Sequence, residues 1–362
     1  MTRPSHRLDA NVRHGFGGGG LDRAKPIRFR LDGIGYDAFE GDTILSALLA
    51  AGVDTAGLYH GEPIGLDERF TPLIAPKGNA EPVGAMPMDR VPATAAASYV
   101  SLGPGRSRMP GAGMARRVAG IVGRRNRSLG HRLDEHRGFE GTWAQLPTGR
   151  TIETETAVVG GGLAGMSAAL AAADAGGRVV LVERRTWLGG DARFFGTVGD
   201  EEAPEAIIAR LTARIAATPS ITVLTSADAF ALAGTRLRVH QVELRDGMPG
   251  ARVVSVVAER VVVATGAAER LPVFPGNRAP RVVGAVAAYH RAERYGVWQG
   301  QMALFATPHN FGYRLALLAA DAGIEVQRVV DSRIGPQSRF IDFCKASGIT
   351  LASGLVVRSA EP

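Results

Sequence analysis

Apolar and polar positions alternate most clearly near the N-terminus, where PIRFRLDGIGYDAF (26–39) runs on both sides of Asp32-Gly33. A period of two predicts strands, and Asp-Gly between them is a hairpin signal. In EGDTILSALLAAGV (40–53) the pattern changes. Asp42 or Thr43 stands at a cap position, an apolar helix follows, and Gly52 ends it. Residues 57–100 are rich in Pro and Gly, with short strands expected near Glu81–Met86 and Ala95–Tyr99. Residues 25–100 thus predict a small ferredoxin-like or ubiquitin-like α+β module. Ahead of it, residues 1–24 contain RHGFGGGGLDR, which predicts an arm with no packed element, mobile or docked on a partner. Residues 101–150 read as an Arg/Gly-rich linker.

From residue 151 to 362 the pattern is that of a Rossmann-like α/β domain. In TAVVGGGLAGMSAALAAADAGGRVVLVERR (156–185), a buried parallel strand leads into Gly160, Gly162 and Gly165, the spacing G-x-G-x-x-G. An Ala-rich helix, a Gly176-Gly177 stop and a second β-branched strand ending at Glu183 complete the unit. Gly160 allows the tight turn, Gly162 lets backbone approach a pyrophosphate, and Gly165 lets helix and strand pack closely. The helix N-terminus favours phosphate, and Glu183 stands where a carboxylate accepts hydrogen bonds from a ribose diol. NAD and FAD both present such a diol, so either fits. Glu183 disfavours a 2′-phosphate, although Arg184 and Arg185 follow it.

Further along, Gly189-Gly190 suits either a second backbone approach to the nucleotide or an ordinary surface turn. Residues 203–217 predict an amphipathic helix and 221–224 a strand, while 236–246 and 251–257 alternate as an antiparallel pair. RVVVATGAAERLPVFPG (260–276) predicts a buried strand that returns the chain to the nucleotide at Thr265-Gly266. A second βαβ unit is expected at about 300–362, with a strand at 302–306, a helix closing at Gly323 and a strand ending at Asp331. Its turn keeps only Gly312, and Pro308 and His309 leave little room for a second pyrophosphate. His309 reads more readily as a structural loop histidine than as a ligand contact.

The 362 residues are 45% hydrophobic and 21% charged, as in a globular protein of two or three domains. No signal-like segment or membrane-length apolar run is evident, so a cytoplasmic location without membrane attachment is expected. The net charge of +7 gathers at 106–137, a stretch nearly without aromatic residues. That argues against nucleic acid and leaves a docking segment for an acidic partner or a solvated linker. One cysteine, Cys344, excludes an intrachain disulfide and a C-x-x-C relay. It also predicts that the chain holds no iron–sulfur cluster. Helical spacing with Phe340, Ile341 and Phe343 makes Cys344 a buried hydrophobe.

Four stretches in order, LDRAKPIRFRLDGIGYDAFEGDTILSALLAAGV, VVGGGLAGMSAALAAADAGGRVVLVE, VVVATGAAERLPVFPGN and GYRLALLAADAGIEVQRVVDSR, resemble one family. It comprises the α subunit of heterotetrameric sarcosine oxidase and its relatives among multi-subunit amine and imino-acid (proline, hydroxyproline, opine) dehydrogenases. The resemblance implies a two-dinucleotide-binding flavoprotein-type domain behind a ferredoxin-like module. It also implies NAD held without reduction in turnover, FAD on a β-type partner that oxidises the substrate, and FMN at the interface between them. Gly160, Gly162, Ala164, Gly165, Glu183, Arg184, Thr265 and Gly266 would line the dinucleotide, with Gly190 beside them. The family's C-terminal folate-binding domain has no counterpart before Pro362, so a short form is expected, inactive alone. Two alternatives stay open: a self-contained FAD-dependent NAD(P)H oxidoreductase and a non-catalytic, nucleotide-stabilised scaffold.

Overall fold

A computed structural model describes residues 6–69, 71–78, 84–102, 128–134, 146–197 and 201–361. Most of the Arg/Gly stretch and part of the strand expected at 81–86 lie outside them. The hairpin forms as β1 (Asp22–Leu31) and β2 (Ile34–Glu40). Its turn residues Asp32 and Gly33 have φ of 56° and 83°, as a two-residue hairpin requires. Helix α1 (Ile44–Ala50) starts at Thr43, whose hydroxyl accepts from the Ser46 N–H while the Ser46 hydroxyl oxygen accepts from the Thr43 N–H. This reciprocal cap holds a helix whose seven residues are all buried.

Strands β3 (Thr55–Tyr59), β4 (Glu62–Gly65), β5 (Leu73–Pro76), β6 (Met86–Pro87), β7 (Ser98–Leu102) and β8 (Ser128–Arg132) complete the region. They form sheets ordered β2-β1-β7-β5-β6 and β4-β3-β8. Phe29, Leu31, Ile44, Leu48, Ile74 and Tyr99 fill the core, which continues into the next domain through Val242 and Val297.

The sheet of the dinucleotide-type domain runs β11-β10-β9-β14-β13-β12. Its strands are β9 (Arg150–Val159), β10 (Val179–Val182), β11 (Ile221–Leu224), β12 (Ala227–Ala233), β13 (Arg236–Arg245) and β14 (Met248–Val263). Strands β9, β10 and β11 are parallel. The stretches expected as separate strands at 251–257 and 260–264 are one strand, β14. Residues 248–257 pair antiparallel with β13 and residues 254–263 parallel with β9, so Val254–Val257 are paired on both sides. Helices α2 (Leu163–Asp174) and α4 (Pro204–Ala216) cover one face, and the short α3 (Ala192–Phe195) lies between them in sequence.

Helix α5 (Ala285–Tyr295) leads to a fourth sheet, β15 (Met302–Thr307), β16 (Glu325–Asp331) and β17 (Thr350–Ser353). The sheet packs against α6 (Asn310–Asp321) and α7 (Arg339–Ala346). Cys344 is buried in that core, as its spacing suggested.

The N-terminal segment departs from its expectation. Phe16 is fully buried against Tyr289 and Trp298. The Gly19 and Gly20 N–H groups donate to the Glu293 and Arg294 carbonyls at 2.8 and 2.9 Å. Glycine here permits close backbone approach: a Cβ on Gly18 would fall 2.8 Å from the Gly296 nitrogen. Arg291 of α5 meanwhile makes a bidentate pair with Glu68 at 2.9 and 2.7 Å. Helix α5 therefore binds the arm, the N-terminal module and the dinucleotide-type domain together.

Candidate functional site

The turn between β9 and α2 is built from glycines with separable jobs. Gly160 has a φ of 111°, and a Cβ there would lie 2.2 Å from the Ala264 carbonyl oxygen. A Cβ on Gly165 would lie 1.8 Å from the Gly160 carbonyl oxygen. Both positions are closed by the protein's own backbone. Gly162, the N-cap of α2, is different: within 4 Å a Cβ would meet only the Gly190 Cα, at 3.9 Å. The open side of the turn therefore lies at the helix N-terminus, where free N–H groups and the helix dipole favour an anion.

Two further loops close around this turn. The Gly189 N–H donates to the Gly161 carbonyl at 2.8 Å, and a Cβ on Gly190 would sit 3.0 Å from the Gly162 Cα. The Ala264 N–H donates to the Val159 carbonyl at 2.8 Å, carrying Thr265 and Gly266 out from the end of β14. Glu183 follows β10 and is buried. One carboxylate oxygen accepts from the Gly161 N–H at 2.6 Å and the other from the Arg185 N–H at 2.7 Å. Each oxygen retains acceptor capacity for a hydroxyl.

The structure thus brings together Gly160, Gly162, Gly165, Glu183 and Gly190, with Thr265 adjoining. Ala164, Arg184, Thr265 and Gly266 are exposed. Arg184 also acts on Asp89 of the N-terminal module: burial raises that carboxyl, opposed by the Arg90 and Arg184 guanidinium groups. The module consequently borders the acidic end of the site. His309 caps α6 with its backbone, outside this cluster.

Sequence reading missed Asp191 and His290. His290 Nε2 lies 2.8 Å from Asp191 Oδ1, and the Arg185 guanidinium reaches the same oxygen at 2.7 Å. Burial pushes the Asp191 carboxyl up, but the His290 hydrogen bond and the Arg185 charge outweigh it and hold it at about 2. Burial pushes the His290 imidazole down, against its bond to Asp191. The pair ties the Gly189-Gly190 loop to α5 across about a hundred residues of sequence. Glu269 ties the loop after β14 to the same helix, accepting from the Ala285 and Val286 N–H groups at 2.7 and 3.1 Å. No local motif marks these residues; only the tertiary position of α5 does.

Comparison with known proteins follows these divisions. Residues 154–301 match the family described as Pyridine nucleotide-disulphide oxidoreductase. Residues 24–65 match the 2Fe-2S iron-sulfur cluster binding domain. The second match corrects the expectation that no iron–sulfur unit is present. That expectation rested on counting thiolates, whereas the family is carried by the strand–turn–strand–helix pattern that β1, β2 and α1 preserve. The donor set does not fit a cluster, because the one cysteine is Cys344, buried in the core around α6 and α7. The glycine cradle and Glu183, in contrast, fit a dinucleotide.

The chain is 30% identical to sarcosine oxidase subunit alpha of Rhizobium meliloti (strain 1021), over 86% of this chain and 35% of the relative. It is also 30% identical to that of Corynebacterium sp. (strain P-1), over 94% and 34%. It spans about a third of the length of these curated relatives. An L-proline dehydrogenase from P. horikoshii shares the fold, with a TM-score of 0.59 at 19% identity over 93% of this chain and 57% of that one. The chain is a homologue of sarcosine oxidase α subunits, built as a flavoprotein-type dinucleotide-binding domain behind a small ferredoxin-like module.

Proposed function

We propose that this chain is the dinucleotide-binding, α-type subunit of a multi-subunit flavin-dependent amine oxidase or dehydrogenase. Its substrate is sarcosine or a related secondary amino acid, oxidised on a flavin-bearing β-type partner. The observation that carries the reading is the Gly162 cradle: an open helix N-terminus beside a buried Glu183, in a homologue of sarcosine oxidase α subunits. In this reading Gly160 and Gly165 shape the turn, Gly162 and Gly190 admit the pyrophosphate, and Glu183 accepts from a ribose diol. Ala164, Arg184, Thr265 and Gly266 border the bound molecule.

The cradle serves NAD and FAD alike, since both carry pyrophosphate and an adenosine ribose. A bound flavin would supply hydride or electron acceptance; a bound NAD that is not turned over would supply only stability. The chain's own residues hold the nucleotide and order three loops around it through α5. Domain limits at 25–100 and 151–362 belong to the same proposal; the 101–150 stretch, expected as a linker, instead contributes β8 to the module's sheet beside β3.

The test is to purify the chain with its co-expressed partners and identify every released cofactor by mass spectrometry. One dinucleotide with a free 2′-hydroxyl per chain is expected, lost in Gly162→Val. NADP with its phosphate beside Glu183, or a Gly162→Val chain that folds and keeps its dinucleotide, would overturn the assignment.

A further inference from the structure

The two βαβ units invite a direct comparison at the tip of the second strand. In the first, Glu183 Oε1 accepts from the N–H two residues on, Arg185, at 2.7 Å. In the second, Asp331 Oδ1 accepts from the N–H two residues on, Arg333, at 2.8 Å. The backbone geometry repeats, so Asp331 holds the position that Glu183 holds in its own unit. The arginine side chains then diverge. Arg185 leaves its acid and pairs with Asp191 at 2.7 Å. Arg333 turns back: its Nε lies 3.0 and 3.2 Å from the two Asp331 oxygens, and its Nη2 lies 2.7 Å from Oδ2.

The remaining valences are filled as well. Tyr313, from α6, donates its hydroxyl to Asp331 Oδ2 at 2.8 Å, and Asp331 is fully buried. Arg333 Nη2 also reaches Asn310 Oδ1, on the first residue of α6, at 2.9 Å. The turn is closed from the other side. Thr307 Oγ1 accepts from the His309 N–H at 3.0 Å and donates to the His309 carbonyl at 2.8 Å. A Cβ on Gly312 would meet the Thr307 side chain at 2.4 Å. Thr307 thus takes a turn N–H that a phosphate would otherwise use.

We infer that the second βαβ unit is a nucleotide fold whose ribose position is filled from within by Arg333, so that Arg333 restricts the chain to a single dinucleotide. The guanidinium supplies the two-pronged donor set that a ribose diol would supply, and its charge makes it the stronger partner for a buried carboxylate. This goes beyond the first-site reading and does not depend on whether that site holds NAD or FAD. It also removes the docking site that a self-contained NAD(P)H reductase needs.

The test is equilibrium dialysis of the purified chain, carrying its resident dinucleotide, against NADH. Wild type takes up no additional NADH. Arg333→Ser combined with Thr307→Gly uncovers Asp331 and frees the turn N–H, and gains one further equivalent, at least tenfold tighter than any wild-type uptake; Thr307→Gly alone gains none, and adding Asp331→Asn to the pair removes the gain. Resident dinucleotide is measured in each variant; an unchanged content separates this result from any failure of the first-site assignment. Should Arg333→Ser lose its cooperative thermal transition, Arg333→Gln keeps the stem and carries the same comparison. Wild-type uptake of a second equivalent that Asp331→Asn abolishes would overturn the inference. So would a folded chain carrying both Arg333→Ser and Thr307→Gly that gains no NADH.

Discussion

Gly165 and Gly162 stand three residues apart in one motif, and the structure gives them opposite vulnerabilities. In Gly165→Ala the new methyl lands 1.8 Å from the Gly160 carbonyl oxygen and 3.4 Å from the Ala264 Cβ. The nearest obstacle is backbone, so α2 must move off the sheet. Overpacking of this kind costs about 3 kcal/mol, and the helix preference for Ala over Gly returns about 1 kcal/mol. A net loss of about 2 kcal/mol corresponds to a fall of roughly 4–8 °C in melting temperature for a domain of this size. Gly162→Val meets no comparable obstacle, and its φ of −74° suits any residue. Its stability cost is that of a poorer N-cap, about 1 kcal/mol, while its side chain enters the space proposed for the pyrophosphate. The assay is thermal unfolding of nucleotide-stripped protein, because a bound ligand would raise the transition by mass action, paired with equilibrium dialysis of the dinucleotide. Gly165→Ala should melt early, and Gly162→Val should melt within a few degrees of wild type yet retain no nucleotide. A stable Gly165→Ala chain, or a nucleotide-replete Gly162→Val chain, would refute the division of labour.

Two further outcomes are expected. Glu183→Ala strands the buried Gly161 N–H and the half-buried Arg185 N–H, lowering stability by about 2 kcal/mol and abolishing dinucleotide retention; full retention on dialysis would count against a ribose contact. His240 is buried, and burial first, then the Arg90 charge, holds its imidazole down at about 4, against the Ala85 carbonyl and Asp228. The folded state thus keeps His240 neutral while the unfolded chain protonates near 6.5. The stabilisation is complete above that pH and is lost as pH falls from 6.5 through 4, by roughly 3 kcal/mol. Urea midpoints should fall over this window in wild type and much less in His240→Gln; equal slopes would refute the assignment.

Much of the fold was legible because local signals agreed with tertiary needs. The hairpin at Asp32-Gly33, the Thr43 cap and the β9–α2–β10 unit each carry their own turn chemistry, so period and punctuation located them. What local pattern could not supply was partnership between distant elements. Strand β14 reads as two strands because its burial falls after Ala258, where pairing with β13 has ended and only β9 remains beside it. The glycine-rich arm reads as unstructured because its packing depends on α5, nearly 280 residues later, whose backbone only glycine can approach so closely. Asp191 and His290 fall outside any motif for the same reason. The ferredoxin-like pattern of residues 25–100 was legible, but the absence of cysteine was taken to exclude an iron–sulfur unit, which the match of residues 24–65 overturns. At the second unit, the missing glycines pointed to a poor phosphate site, but the pairing of Arg333 with Asp331 depends on a side-chain conformation that no sequence pattern marks.

The central claim, that this chain holds a dinucleotide for amine oxidation performed on a partner, is tested most directly by turnover. The chain is assayed alone, and then with the proposed flavin-bearing partner, against sarcosine, proline and NADH with an artificial electron acceptor. The account predicts no turnover by the chain alone with any of the three, and oxidation of a secondary amino acid once the partner is added. Robust turnover by the isolated chain would contradict it.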